Sequence, residues 1–228
     1  MGRKSKKLPF KSNTYIVKDS HTCEKISTST VSTRFSKNLD LRNIIKIYFN
    51  SLESEYNYFS EIKRILDKNE FINLKLEIEK AQSKGGKDPF SLVNYAIKSK
   101  ENEKEIWVVF DKDDFNIEPA IKKAHENNIF VAFSNPCFEL WFLNHFNYRE
   151  TFISTDECIR LTKNILKTHH QINYTKNNNN IFELLNSKLK TGIKNSKRQH
   201  QEIQLDNKTP NSANPCSLIY LLIEKLKI

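Results

Sequence analysis

Apolar residues along the first part of the chain are grouped in a way that predicts alternating strands and helices. Short runs of β-branched and aromatic residues, typical of buried strands, occupy 44–49, 106–110 and 129–133. Residues 71–78 alternate apolar and charged side chains, which suits a half-exposed strand. Because helices are expected between these strands, the order predicts a mostly parallel sheet flanked by helices on both faces.

The helices are predicted from apolar residues at helical spacing and from capping residues. Ser51 or Ser54 is expected to cap the first helix, and Asn135-Pro136 and Asn214-Pro215 are expected to start two later ones. From Asn135 onward the pattern is helical, so the C-terminal part is predicted to consist of helices. The predicted helices cover 54–66, 89–97, 118–125, 135–146, 155–167, 181–199 and 214–226.

Composition divides the chain into three parts. Residues 1–40 are basic and then Ser/Thr-rich with weak periodicity, so we expect a partly ordered arm with one short edge strand at 15–17. Residues 41–150 are predicted to form an α/β domain, and residues 151–228 a helical extension packed on it. The predicted fold class is therefore α/β, with a helical C-terminal part.

Several classes of protein are disfavoured by composition. The chain has only four glycines, and no glycine-rich phosphate-binding motif is present. Its four cysteines are scattered, which argues against a zinc site or a disulfide framework. No apolar run could span a bilayer and no signal peptide is visible, so we expect a cytoplasmic protein without membrane contact.

The net charge of +10 favours nucleic acid as a partner, and an anionic membrane surface less so. Between residues 161 and 200 the only acid is Glu183, and basic side chains gather opposite the apolar stripe of one predicted helix. The alternatives are a solvated face and a composition that simply favours Lys and Asn. The candidate nucleic-acid-binding residues are Lys112, Lys190, Lys194, Lys197 and Arg198.

Three carboxylates, Asp111, Asp113 and Asp114, directly follow the apolar strand at 106–110. The carboxyl end of a strand in an open α/β sheet usually borders the ligand crevice. Carboxylates this close repel each other, and Mg²⁺ or Mn²⁺ is the simplest partner that would offset the repulsion. If the strand continues by one step, Asp111 and Asp113 share a side and could hold a metal that activates water. The alternative is an Asp-rich solvated turn.

Glu139 is unusual because it lies in the stretch 136–143 of a predicted helix, where the other residues are apolar on every side. An unpaired buried carboxylate is strongly destabilising, so Glu139 should be either paired or functional. It could contribute to the metal site, or it could pair with Arg or Lys or accept hydrogen bonds from the backbone. His145, further along, is expected to be a satisfied, half-buried histidine.

The stretches around Asp111 and Glu139, together with several others, resemble the RloB family, which occurs in bacterial restriction and phage-defence loci. The most specific block is Ser134-Asn135-Pro136-Cys137-Phe138-Glu139-Leu140-Trp141, and the resemblance extends from about residue 41 to the end of the chain. The other matching blocks are 88–89, 107–114, 145–146, 193–198 and 214–217.

The resemblance implies a Toprim-like α/β domain, in which an Asp-x-Asp motif acts with Mg²⁺ on phosphodiesters. That motif maps onto Asp111 and Asp113. The family often lies beside a gene for an ABC/SMC-type ATPase, which implies an ATPase partner. The implied function is a Mg²⁺-dependent nuclease that acts on DNA or RNA as the effector of a phage-defence, or abortive-infection, system.

The chain departs from the family pattern after its first strand. The family has a Glu-Gly pair there, whereas this chain has Asn50-Ser51. An asparagine can hold a metal-bound water but is a poor general base. Glu53 or Glu55 could substitute only by reaching back from the next helix. The alternative function is therefore a catalytically weakened subunit that binds nucleic acid or regulates the ATPase, and a third is an adaptor whose charge is compositional. The candidate catalytic residues are Glu53, Asp111, Asp113 and Glu139, and the candidate metal ligands are Asp111, Asp113 and Asn50.

Overall fold

Five strands form one sheet in the described part of the chain. The structure, a computed structural model, describes residues 43–50, 53–69, 74–81, 88–101 and 104–228. The predicted arm at 1–40, including the strand expected at 15–17, lies outside the described residues. The strands are β1 (Asn43–Phe49), β2 (Leu74–Lys80), β3 (Lys104–Asp111), β4 (Phe130–Asn135) and β5 (Cys216–Ser217).

The strand order is β2-β1-β3-β4-β5. Strands β1 to β4 run parallel, whereas β5 pairs antiparallel with β4. Helices flank this sheet and continue into the C-terminal part, which confirms the predicted α/β class. The helices are α1 (Ser54–Lys68), α2 (Pro89–Lys98), α3 (Glu118–Glu126), α4 (Glu139–Asn144), α5 (Thr155–His170), α6 (Ile181–Asn186), α7 (Leu189–Leu205) and α8 (Ile219–Leu226).

The topology defines where a ligand crevice should lie. The chain moves from β1 to β2 on one side and then returns across β1 to β3, so the direction of winding reverses between β1 and β3. Right-handed crossovers place α1 on one face and α2 and α3 on the other. In open α/β sheets, the crevice lies beyond the carboxyl ends of the strands at such a reversal. The carboxyl ends of β1 and β3 therefore mark the expected site.

Both Asn-Pro pairs differ from the prediction. The Asn135-Pro136 and Asn214-Pro215 peptide bonds are cis, and the helices begin only at Glu139 and Ile219. The residue before a proline favours extended backbone, and Asn135 accordingly ends β4, where it pairs with Cys216 of β5. Asn135-Pro136 thus lies at the end of β4, and Asn214-Pro215 precedes β5, so neither pair starts a helix.

Two other helix predictions were wrong in detail. The helix expected at 181–199 is two helices, α6 and α7, separated by Ser187 and Lys188. At the start of α1, Glu53 occupies the N-cap position and makes no side-chain cap bond, while Ser54 is already helical. The Ser54 hydroxyl instead donates to Glu139 Oε1 at 3.0 Å, so a tertiary contact has replaced the expected cap.

One hydrophobic core joins the sheet to the C-terminal helices. It contains Ile47 and Val108 from the sheet together with Leu222 from α8, each fully buried. The helices are also tied by polar contacts, since Glu61 of α1 accepts a hydrogen bond from Phe182 N at the start of α6. The division at residue 150 stays a prediction. Within the described ranges, no helix is both long and apolar enough to cross a membrane.

Candidate active site

Two polar side chains lie where the crevice is expected, at the carboxyl ends of β1 and β3. Asn50 directly follows β1, and Asp111 is the last residue of β3. The Oδ1 atoms of both are shielded from solvent and have no hydrogen-bond partner among the described residues. Buried polar atoms normally find partners, so two such oxygens at one edge of a sheet require an explanation.

Burial raises the pKa of Asp111 well above its ordinary value, and the charges of Glu55, Glu139 and Asp113 raise it further. We call Asp111, Asp113, Glu55 and Glu139 the acidic crevice. Three of its members lie on different elements, since Asp111 ends β3, Glu55 is in the first turn of α1 and Glu139 begins α4. The folded chain therefore concentrates negative charge where the sheet topology predicts a ligand.

Glu139 is buried, and hydroxyl groups hold its carboxylate in place. Its Oε1 accepts hydrogen bonds from Ser54 Oγ at 3.0 Å and from Tyr174 Oη at 2.8 Å. The two hydroxyls also contact each other at 2.9 Å. Neither donor is a cation or a backbone amide, so these bonds differ from the pairing that the sequence suggested. They orient the carboxylate without neutralising its charge.

Lys176 supplies positive charge beside the acidic crevice. Burial alone would lower its pKa, but the charges of Glu139, Asp111 and Glu55 outweigh burial and leave the pKa raised. The segment that carries Lys176 is anchored to α1, because Asn57 Nδ2 donates to the Lys176 carbonyl oxygen at 3.1 Å. Sequence reasoning missed Lys176 and Tyr174, which lie in the polar connection between α5 and α6.

Asp113 does not share a strand face with Asp111, contrary to the prediction. Strand β3 ends at Asp111, and Asp113 has a left-handed backbone with a φ of 39° in the following turn. This turn is fixed by backbone bonds from Lys112 N to Ser134 O and from Asp113 N to Pro136 O. Asp113 is exposed, yet partial burial raises its pKa and Lys176 opposes the rise. From this turn, the charge of Asp113 still raises the pKa of Asp111.

Glu55, rather than Glu53, lies in the acidic crevice. Glu53 is exposed at the N-terminus of α1, whereas Glu55 is 2% exposed. The sequence contained a signal for this, because Glu55 lies three and four residues before Tyr58 and Phe59 on the apolar face of α1. A carboxylate on a buried helix face indicates a paired or functional group.

The donor atoms in the crevice suit a hard divalent cation. Carboxylate and amide oxygens are typical ligands of Mg²⁺, which often uses one or two carboxylates together with waters and substrate phosphates. No three His, Cys, Asp or Glu side chains in the described residues lie close enough to share one ion. Asp111 and Asn50 each have an oxygen without a partner at this edge of the sheet, and a metal site there stays a prediction.

The basic residues of α7 do not form one uniform surface. Lys190 and Lys194 are exposed. Lys197 Nζ lies 2.6 Å from Glu224 Oε1, and Arg198 Nε lies 3.0 Å from Glu202 Oε1. These ion pairs reduce the positive charge that Lys197 and Arg198 can offer to an anion. Lys112 bends back on its own turn, where its Nζ donates to the Asp113 carbonyl oxygen at 2.8 Å.

A second buried polar cluster joins α4 to α7, and we call it the polar seam: Asn144, His145, Asn195, Ser196 and Gln199. Asn144 Nδ2 donates to Ser196 Oγ and to Gln199 Oε1, each at 2.8 Å. Asn195 Nδ2 donates to the Asn144 carbonyl oxygen, also at 2.8 Å. Asn195 and Ser196, within the block at 193–198 that resembles the RloB family, thus bind α7 to α4.

His145 is more buried than expected. It is 1% exposed, its Nδ1 lies 2.8 Å from the Trp141 carbonyl oxygen, and burial lowers its pKa to about 4. Gly192 of α7 packs directly on the ring, since a Cβ there would lie 2.8 Å from His145 Cε1. His145 Nε2 has no hydrogen-bond partner among the described residues, so the expectation of a satisfied histidine was wrong, and the ring packs between two helices.

Comparisons with known proteins locate the chain within one family. Neither the curated proteins nor the solved structures contain a significant match. The family model described as RloB-like protein matches residues 45–226, which include both the acidic crevice and the polar seam. The match extends over most of the chain, and the chain therefore belongs to the RloB-like family.

Proposed function

We propose that this protein is a Mg²⁺-dependent nuclease that hydrolyses phosphodiester bonds. The observation that carries the proposal is the pair of shielded oxygens without partners, Asn50 Oδ1 and Asp111 Oδ1, at the carboxyl ends of β1 and β3. The resemblance to Toprim nucleases at Asp111 and Asp113 supports the same chemistry. Mn²⁺ is expected to replace Mg²⁺ because both favour oxygen ligands.

Each residue of the crevice has a defined task in this proposal. Asp111 and Asn50 would hold the ion, which when bound polarises the phosphodiester and activates a water. Ser54 and Tyr174 hold Glu139 in one orientation, so its carboxylate is available to receive a proton or to orient that water. Glu55 adds charge that favours cation binding.

The test is the Asp111→Asn variant in a Mg²⁺-dependent cleavage assay on single-stranded and double-stranded DNA and RNA. Loss of a partner that merely orients a metal ligand costs about 10–100-fold, so loss of the ligand itself should reduce cleavage by more than about 100-fold. Asp156→Asn, the same change at an exposed site in α5, should cleave as the wild type does. Equal cleavage by wild type and Asp111→Asn would show that the assignment is wrong.

A second candidate function is a catalytically weakened subunit that binds nucleic acid and regulates a partner. Asn50 favours it, because an amide is not basic near neutral pH. The absence of three converging metal-ligand side chains in the described ranges also favours it. An Asn50→Glu variant separates the two candidates. A weakened protein should gain metal-dependent cleavage, whereas a competent nuclease should gain little.

We further propose that the protein acts in a phage-defence system together with an ABC/SMC-type ATPase. Family membership supports this proposal. Coexpression with an ABC/SMC-type ATPase from a locus that carries an RloB-like gene should yield a complex on size-exclusion chromatography. The pair should be toxic in cells, and Asp111→Asn should relieve the toxicity. Two proteins that elute separately and cause no toxicity together would contradict the partnership.

A further inference from the structure

Three basic side chains surround one aromatic ring where the end of α5 meets the start of α7. The ring is that of Phe146, which is half-buried just beyond α4. The His169 ring packs on it with 4.9 Å between the ring centroids, and the His170 ring lies nearly perpendicular to it at 6.1 Å. The Lys188 ammonium lies 5.2 Å from the centroid of the same ring. We call these four residues the basic cluster.

The basic cluster collects positive charge without an acid to balance it. No ion pair within the described ranges involves His169, His170 or Lys188. His170 Nε2 is shielded from solvent and has no hydrogen-bond partner among the described residues. Burial lowers the pKa of His170, and the charges of His169 and Lys188 lower it further. Like charges held together in this way favour the binding of an anion between them.

One side of α4 connects the basic cluster to the acidic crevice. Glu139, Phe142 and Phe146 are three and four residues apart, so they lie on one face of the helix. Glu139 and Phe142 accordingly both contact Tyr174. The chain stays helical as far as Phe146, whose N–H donates to the Leu143 carbonyl oxygen. Seven residues of helix span about 10 Å, which separates the basic cluster from Glu139 along the axis.

We propose that the basic cluster binds a backbone phosphate of the nucleic acid, about three nucleotides from the bond that lies at the acidic crevice. A nucleic-acid strand advances by about 3.4 Å per nucleotide, so about 10 Å corresponds to three nucleotides. Histidine and lysine N–H groups donate to phosphate oxygens. His169 is exposed, so the cluster is open to solvent. The distance to the cleaved bond rests on the proposed nuclease function, whereas phosphate binding does not.

The test measures binding of fluorescein-labelled single-stranded DNA and RNA by anisotropy, with the full chain and without divalent metal, so that cleavage plays no part. Lys188→Gln should bind about threefold more weakly and lower the slope of log affinity against log salt by about 1. Lys188→Arg keeps the charge and should bind as the wild type does. Lys98→Gln controls for net charge, because Lys98 is exposed at the end of α2, near the amino end of β3 and away from the crevice. It should also match the wild type.

Phe146→Leu distinguishes an ordered cluster from charge alone. The variant keeps every charge but removes the ring on which the three basic side chains pack. Binding should weaken to a similar extent as in Lys188→Gln, and thermal unfolding shows whether the variant is folded. Unchanged binding by folded Phe146→Leu would contradict the proposal. If Phe146→Leu does not fold, the comparison of Lys188→Gln with Lys188→Arg decides.

Three further results would overturn the proposal: equal binding by Lys188→Gln and the wild type, equal weakening by Lys98→Gln, or binding to phosphatidylserine vesicles without binding to the oligonucleotides. Weaker binding by Lys188→Gln in a protein that never cleaves would support the phosphate site and reject the nuclease.

If the wild type cleaves, a short substrate tests the distance between the two sites. A substrate with only two nucleotides on each side of the cleaved bond cannot reach the basic cluster. Wild type and Lys188→Gln should therefore cleave it equally, whereas Lys188→Gln should cleave a longer strand less well at low substrate concentration. A defect of Lys188→Gln on the short substrate as well would reject the proposed distance. The nuclease assignment itself is judged by cleavage in Asp111→Asn.

Discussion

The acidic crevice and the polar seam are both buried clusters of polar side chains, but they satisfy their hydrogen bonds differently. In the seam, both side-chain groups of Asn144 and Gln199 have partners, and the bonds between these two residues join α4 to α7, although His145 Nε2 has no partner among the described residues. In the crevice, Asp111 Oδ1 and Asn50 Oδ1 have none within the described residues. Neutral amides dominate the first cluster and carboxylates the second.

This difference is the one expected between a structural cluster and a functional site. A satisfied network stabilises one arrangement of helices, because removing any member leaves its buried partners without bonds. A cluster of carboxylates with unused oxygens destabilises the protein unless it binds something, and such sites are kept for function. The seam should therefore respond to mutation through stability, and the crevice through activity and ion binding.

The largest expected effect is the loss of stability on acidification, which acts on the polar seam through His145. The folded-state pKa of His145 is about 4, below its ordinary 6.5, so the unfolded chain takes up the proton first. The free energy of unfolding should fall as pH drops from 6.5 toward 4, by up to about 3 kcal/mol from this residue. Urea unfolding at a series of pH values measures the fall. NMR titration of the His145 ring with a midpoint near its ordinary value would contradict the prediction.

Asn144→Ala should destabilise the protein by about 2 kcal/mol, since it removes the side-chain partner of the Ser196 hydroxyl and of Gln199 Oε1 in a buried site. Cleavage per folded molecule should not change, because the seam lies outside the crevice. Asn147→Ala, at an exposed position just beyond α4, is the matched control and should leave stability within about 0.5 kcal/mol. If urea unfolding showed the two variants to be equally stable, the polar seam would not be the stabilising cluster that distinguishes it from the acidic crevice.

Asp111→Asn should make the protein more stable while it abolishes function. The pKa of Asp111 is raised in the folded state, so the native chain binds the proton more readily and the ionised form is destabilising. The gain should be about 1 kcal/mol near pH 7. It should shrink as pH falls through the folded-state pKa, because the wild-type carboxyl is then neutral too. A loss of stability at neutral pH would show that the crevice is already well paired.

The smallest expected effect concerns nucleic-acid binding by α7. Changing Lys190 and Lys194 together to Gln should weaken binding a few-fold and lower the slope of log affinity against log salt by about 1 to 2. Changing Lys197 and Arg198 to Gln should have less effect, since Glu224 and Glu202 already pair with them. Fluorescence anisotropy at several salt concentrations compares the two double variants. An equal slope change would mean that the ion pairs open on binding.

The main features of the sheet were accessible from sequence because they depend on local pattern. The apolar run at 106–110 predicted a buried strand, and the position of Asp111 directly after it predicted a carboxylate at the sheet edge. Alternating strands and helices predicted the parallel order of β1 to β4. The short β5 was not predicted, because two residues carry no periodicity and their pairing with β4 depends on the path of the whole C-terminal part.

By itself, the sequence determined the family, the α/β class and three of the four acids of the acidic crevice, Asp111, Asp113 and Glu139, because apolar periodicity and residue type act over a few neighbouring residues. Only the tertiary structure decided that Glu55 and Lys176 lie near enough to act on the charge of Asp111, that Ser54 and Tyr174 hold Glu139, and that Asn144 joins α4 to α7. Ser54 and Tyr174 are 120 residues apart along the chain. A contact at that separation is set by how helices pack on the sheet, and no local pattern encodes it.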